Sequence, residues 1–187
     1  MRLKELSISV ILLTALFLTG GCKPKYRQPE VQKKTVAQDQ ASVVKSNQQM
    51  IRQNAQMIRD QAAAKGWTLT ETGTGVFYQR YPLKGSEPTR KIEPGDRVSL
   101  VYRVSLLNGV FCYSSEDKGL KQFVVEHSDA EPGLHEIIQL LHPGDSALVV
   151  IPPHRAFGLT GDGDRIPPRA VLVYDIRVDS VISHQNI

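Results

Sequence analysis

Apolar residues recur along this 187-residue chain with three different spacings, and each spacing predicts a different structure. Leu6–Leu18 is an almost unbroken apolar block after a short basic start, Met-Arg-Leu-Lys. Lys23 to about Gln40 is polar and rich in Lys and Gln, with Pro24 and Pro29, and reads as a tether. From about Ala41 to Lys65 helical spacing takes over. Val43, Met50, Met57 and Ala64 lie seven apart, flanked by Val44, Ile51 and Ile58, with Gly66 as the stop. The spacing predicts a helix docked on its own domain or forming a stalk; a dimerisation helix is the alternative, weakened as a coiled coil by Asn47 and Asn54.

Beyond Trp67 the period shortens to two. Val76 and Tyr78 alternate with Phe77 and Gln79, as on an edge strand. The stretch holding Pro82, Pro88 and Pro94 reads as loop. Arg97–Leu107 then places Val98, Leu100, Tyr102, Val104 and Leu106 on one face, and Asn108-Gly109 turns the chain into a hairpin with Val110–Ser114. A loop and short strand follow. Leu134, Ile137, Ile138 and Leu141 obey the helical i, i+3, i+4, i+7 rule, and Pro143-Gly144 ends that helix. Two buried strands, Ala147–Ile151 and Ala170–Ile176, close the pattern. The segment joining them carries two proline pairs, Phe157-Gly158 and a Gly/Asp cluster, and a connection of that length inside a compact domain is usually functional. The expected fold class is α+β, an antiparallel sheet around one short helix, with an N-terminal helix before it.

Charge and cysteine usage narrow the setting. The formal charge of +4 is modest, and Lys33-Lys34 and Arg90-Lys91 read as solvated pairs, so no nucleic-acid face is expected. The basic start, the apolar block and Thr19-Gly20-Gly21 before Cys22 describe a secretory signal ending in a lipobox-like cysteine. The expectation is a signal peptide over 1–21, lipid on Cys22, and a domain anchored to a bacterial envelope membrane, facing the periplasm. Lys23 after Cys22 favours the outer membrane. With Cys22 lipidated, Cys112 has no partner for an internal disulfide, so a core over residues 66–187 must carry stability.

The stretch IPPHRAFGLTGDGDRIPPRAVLVYDIRV resembles the signature of the FK506-binding-protein (FKBP) family of peptidyl-prolyl isomerases in order and spacing. The further pattern N-G-x-x-x-Y-S, an acidic E-D-K-G-L-K run and H-R-A-F-G is similar to the gliding-motility-associated FKBP-like lipoproteins of the Bacteroidetes. The resemblance implies an FKBP-type sheet wrapped on one helix, proline-containing polypeptides as partners, and no cofactor. It implies pocket roles for Tyr102, Phe123, Leu134, Phe157, Ile166 and Tyr174, with Ala130 and Glu131 offering backbone hydrogen bonds to an extended peptide. Taken singly, each apolar position could be simple core packing; the ordered set favours a pocket.

Three positions depart from the family pattern, and the resemblance still implies a place in the catalytic set for Tyr113 and in the substrate-binding set for Cys112. Cys112-Tyr113 stands where the family has Phe-Asp, and Phe157 stands where it has Tyr. On that reading Tyr113→Asp would restore rate in a weakened enzyme. Prolyl isomerisation has a barrier of about 20 kcal/mol from amide resonance, and lowering it needs a dry apolar cup rather than a nucleophile or metal. His135 and His142 read as surface or cap residues lacking a third ligand. Asp162 and Asp164 lack a calcium-loop pattern. Membrane-tethered isomerase and non-catalytic binding module of the same fold are the two function classes left open.

Overall fold

The computed structural model describes residues 31–83, 90–127 and 130–184, with side chains from residue 38 onward. The signal, Thr19 and Cys22 lie outside the described residues. The chain divides into two units, 1–42 and 43–187, and the architecture below is that of the second.

Helix α1 runs Val31–Lys65, starting inside the segment read as tether. Gln, Lys, Ala and Arg dominate it from the start, and their high helix propensity carries the helix back beyond Ala41. It ends at Gly66, whose φ of 69° allows Trp67 N to close on Ala62 O at 2.9 Å. The strands are β1 (Thr70–Glu71), β2 (Phe77–Tyr81), β3 (Arg97–Leu106), β4 (Phe111–Ser114), β5 (Lys121–Val124), β6 (Ser146–Ile151) and β7 (Leu172–Ile182). A one-turn helix α2 (Ser115–Lys118) separates β4 from β5, and α3 (Pro132–Ile138) precedes β6.

All pairings are antiparallel, in the order β1-β2-β6-β7-β3-β4, with β5 also on β3. β3 pairs β7 along its whole length, from Arg97↔Ile182 to Leu106↔Leu172. Its other edge is shared: β4 takes Arg103–Ser105 and β5 takes Arg97–Leu100.

Alternation along the strands divides the apolar side chains between two cores. On the inner face Val98, Leu100 and Val104 of β3, Val149 and Ile151 of β6, and Leu172, Tyr174 and Ile176 of β7 meet Leu134, Ile137, Ile138 and Leu141. Those four helix-side residues are fully buried, each contributing about 1.5–3 kcal/mol of transfer free energy. A register shift between Ser99 and Leu100 gives β7 one extra residue, so Val178 and Val181 both pack the inner core although they are three apart.

The outer face is covered as well. Phe77, Leu148, Val150, Val171 and Val173 pack with Ile58, Ala55, Trp67 and Leu69. Phe77 at the start of β2 is buried in this outer cluster and Val76 just before it in the inner one, whereas Tyr78, Gln79 and Arg80 are half-buried and Tyr81 is exposed. The docked stripe of α1 is Ala55, Ile58 and Ala62, where alanines allow close approach. Of the seven-spaced series and its flanking residues Ile58 is docked, while Val43, Val44, Ile51 and Met57 are exposed.

Two charge readings change. Arg90 is not simply solvated; its Nη2 lies 2.6 Å from the buried Asp96 carboxylate. His135 is buried, accepting from Glu126 N at 3.1 Å and meeting Phe123 edge-on at 5.1 Å, and His142 sits between Arg80 and Asp145. Both histidines join elements together; His135 is buried and His142 half-buried.

Candidate active site

Side chains from β4, α3 and the β6–β7 connection meet in the inner core. Cys112, Phe123, Leu134, Ile166 and Tyr174 are buried in one cluster, and Tyr102, Tyr113, Ala130 and Phe157 pack against it half-buried. Residues spread over more than seventy positions are thus brought to one place. Leu134 reaches the floor because Gly133 before it lets α3 lie against β6. A Cβ at Gly133 would come within 2.5 Å of Ile151 Cγ2 and 3.1 Å of Arg155 O.

Glu131 joins the site through its side chain as well as its backbone. Its Oε1 accepts a 2.7 Å hydrogen bond from Tyr174, and Lys121 Nζ lies 3.0 Å from Oε2 and 3.3 Å from Oε1. Burial first, and then this carboxylate, push the Tyr174 hydroxyl well above the usual phenol range; the same two causes raise Tyr102. Both phenols remain protonated donors at neutral pH. Burial likewise raises the Cys112 thiol, with Asp162 adding to it, so Cys112 behaves as a small apolar wall residue.

The opposite wall is made by the β6–β7 connection. After the 3-10 turn Pro153–Arg155, Gly158 N bonds Pro153 O at 2.8 Å and fixes Phe157 between them. Tyr113 donates to Asp162 Oδ2 at 2.6 Å and lies 3.1 Å from Asp164 Oδ2. The hydrogen bond to Asp162 pushes the Tyr113 phenol up to about 12. Burial works to raise Asp162, but the hydrogen bonds from Tyr113 and from two backbone amides outweigh it and hold the carboxyl below its usual value. Asp162 and Asp164 therefore serve Tyr113 and the loop backbone. Among the described residues no three His, Cys, Asp or Glu side chains are grouped to hold a metal ion.

The arrangement is an apolar cluster with Tyr102, Tyr113 and Phe157 half-buried at its surface and the Glu131–Tyr174 hydrogen bond buried within it. Residues 88–179 match the family model described as FKBP-type peptidyl-prolyl cis-trans isomerase. FK506-binding protein 2 of Yarrowia lipolytica is 33% identical over 100 residues, covering 53% of this chain and 69% of that protein. The chain belongs to the FKBP-type peptidyl-prolyl cis-trans isomerase family. A probable FKBP-type isomerase of Neisseria meningitidis, FkpA, is 33% identical over 126 residues, 66% of this chain, and this FKBP chain spans only 44% of that relative's length. The crystal structure of FkpA from Escherichia coli superposes with a TM-score of 0.55 at 21% identity, over 98% of this chain and 84% of that one, which shows the shared FKBP fold.

Three contributors escaped sequence reasoning. The Glu131 side chain, Lys121 and Arg165 carry no short motif; Lys121 is placed by β5, Glu131 by the start of α3 and Arg165 by the β6–β7 connection. Asp162 had a usable signal: an Asp two residues before another backbone donor in a Gly-rich turn often folds the turn around itself.

Proposed function

We propose that this chain accelerates cis–trans rotation about Xaa-Pro bonds in polypeptides. The observation that carries the reading is the convergence of Tyr102, Phe123, Leu134, Ile166 and Tyr174 in one apolar cluster. A proline ring seated there leaves water, and the planar conjugated amide loses the solvation that favours it over the twisted form. The Tyr102 and Tyr174 hydroxyls stay protonated at neutral pH, and backbone at Ala130 and Glu131 aligns the flanking peptide. The test is the exchange rate of a Leu-Pro or Phe-Pro peptide, measured by NMR with the full chain. Acceleration that Phe157→Ala removes supports the reading; no acceleration by the wild-type chain overturns it.

A second reading, a binding module that holds proline-bearing segments without speeding rotation, is favoured by one observation. Phe157 has no hydroxyl and that of Tyr113 is committed to Asp162, so the wall formed by positions 113 and 157 offers no free side-chain donor to a rotated carbonyl. Peptide-induced shifts without acceleration would establish it.

The setting we propose is a lipid-anchored folding helper of a bacterial envelope, facing the periplasm, most readily at the outer membrane. The basic start, apolar block and Cys22 support it. Labelled palmitate incorporated into the wild type and not into Cys22→Ser is the supporting result, and an unlabelled wild type overturns the anchor. Self-association through the exposed Val43, Val44, Ile51 and Met57 of α1 belongs to the same proposal. The sedimentation coefficient of a monomer at every concentration would remove it.

A further inference from the structure

The β6–β7 connection must hold Phe157 and Ile166 over the core without a strand of its own. Its backbone is permissive: Gly158, Gly161 and Gly163 have φ of 62°, 73° and 78°. Such a segment keeps one shape only if something fixes it. Asp162 Oδ1 accepts from Asp164 N at 2.9 Å and Ile166 N at 2.8 Å, while Asp162 N bonds Ile166 O at 3.1 Å. One carboxylate oxygen closes the turn on itself. That alone would fix the turn's shape and leave its position over the sheet open.

Position comes from the other oxygen. Oδ2 accepts from Tyr113 on β4 at 2.6 Å, and β4 is held in the sheet by Val104↔Tyr113. Arg165 repeats the link: its backbone N donates to the Tyr113 hydroxyl at 3.2 Å, and its Nη1 donates to Cys112 O at 2.8 Å. Its guanidinium lies 5.3 Å from the Tyr113 ring centroid. The wall at 112–113 and the wall at 166 therefore move as one piece.

We propose that Asp162 is the positioning carboxylate of this pocket, acting through Tyr113 to set the wall that carries Phe157 and Ile166. This rests on the isomerase reading above. The carboxylate that the family pattern places at position 113 has been replaced by a phenol, and the charge is supplied from the facing loop. A carboxylate introduced at 113 would meet Asp162 as a like charge. Tyr113→Asp therefore lowers activity, the reverse of what the sequence pattern implied.

The test is a double-mutant cycle in the full chain with Tyr113→Phe, Asp162→Ala and the pair, plus Asp162→Asn and Tyr113→Asp. The readouts are kcat and KM for Leu-Pro peptide exchange, Tm, and amide hydrogen exchange at Ile166. Tyr113→Phe keeps the ring and the Oδ1 contacts; it should lower kcat about tenfold with Tm little changed, since small misplacements of a catalytic wall are costly. The pair should be no worse than Asp162→Ala, because the two residues act as one unit. Asp162→Ala should speed exchange at Ile166 about tenfold or more, with partial rescue by Asp162→Asn, whose amide oxygen can still accept from Ile166 N. Additive losses, a fall in Tm with kcat intact, or a gain from Tyr113→Asp would each overturn the proposal. If the wild type binds peptide without accelerating it, the isomerase reading falls, and the same cycle read in peptide Kd decides the latch. Ile166 exchange unchanged in Asp162→Ala overturns the latch whatever the activity.

Discussion

The Tyr174 hydroxyl on the last strand donates a 2.7 Å hydrogen bond to Glu131 at the start of α3, with both side chains buried and Lys121 completing the set. Residue 174 is thereby joined to the segment that would present backbone to a peptide. Tyr174→Phe removes the donor and leaves a buried carboxylate with one partner fewer. Urea denaturation should show a loss of about 1–3 kcal/mol. Peptide affinity should fall too, since the backbone at 130–131 loses an anchor.

Ile58 is the fully buried contact through which α1 covers the outer face of the sheet. Ile58→Ala should cost about 2–4 kcal/mol in urea denaturation, with faster hydrogen exchange in the second half of α1. Ile51→Ala, on the exposed stripe, should stay within about 0.5 kcal/mol of wild type. Equal losses at both positions would show that the exposed stripe is covered in solution.

Two buried aspartates set the acid side of the stability curve. Burial works to raise both, but hydrogen bonds from Glu93 N, His184 N and Arg90 to Asp96, and from His142 N, Arg80 and Leu83 N to Asp145, hold both below the usual carboxylate value. A group depressed in the folded state stabilises it fully above its unfolded pKa. That contribution is lost as pH falls through the folded value. Tm should therefore decline below about pH 5 and steepen toward pH 2. Asp96→Asn should lower Tm at pH 7 and flatten the decline, and an unchanged slope would count against this assignment.

Gly161 has a φ of 73°, and a Cβ there would collide with the backbone of Ile166 and Pro167. Gly161→Ala should displace the turn closed by Asp162. The left-handed backbone alone costs about 1–2 kcal/mol. The measurable outcome is weaker peptide binding, with altered amide shifts at residues 162–166. Gly163→Ala, at similar φ but with no atom within 4 Å, should cost the backbone term without displacing the wall.

The inner core was legible because β3, α3, β6 and β7 carry clean periods. Val98, Leu100 and Val104 alternate, and Leu134, Ile137, Ile138 and Leu141 share one helical face, so their burial follows from spacing alone. The outer core was legible only in part. The apolar runs of β6 and β7 predicted burial of Leu148, Val150 and Val173, but not that α1, with Trp67 and Leu69 beside it, is what covers them together with Phe77. The seven-residue series in α1 reached the docked side only through its flanking Ile58, since the other contacts, Ala55 and Ala62, give little apolar signal.

The sequence by itself determined the strands, the short helix, the order of the pocket residues and the loop that carries Phe157 and Ile166. These rest on local rules: side-chain period, Gly and Pro geometry, and a motif contiguous in the chain. Only the tertiary structure decided what the departures mean. Tyr113 and Asp162 are 49 residues apart, and Tyr174 and Glu131 are 43 apart. Whether a phenol in place of a carboxylate is a loss or an exchange depends on what faces it across the cup. That is set by strand register and loop closure, which no local pattern encodes.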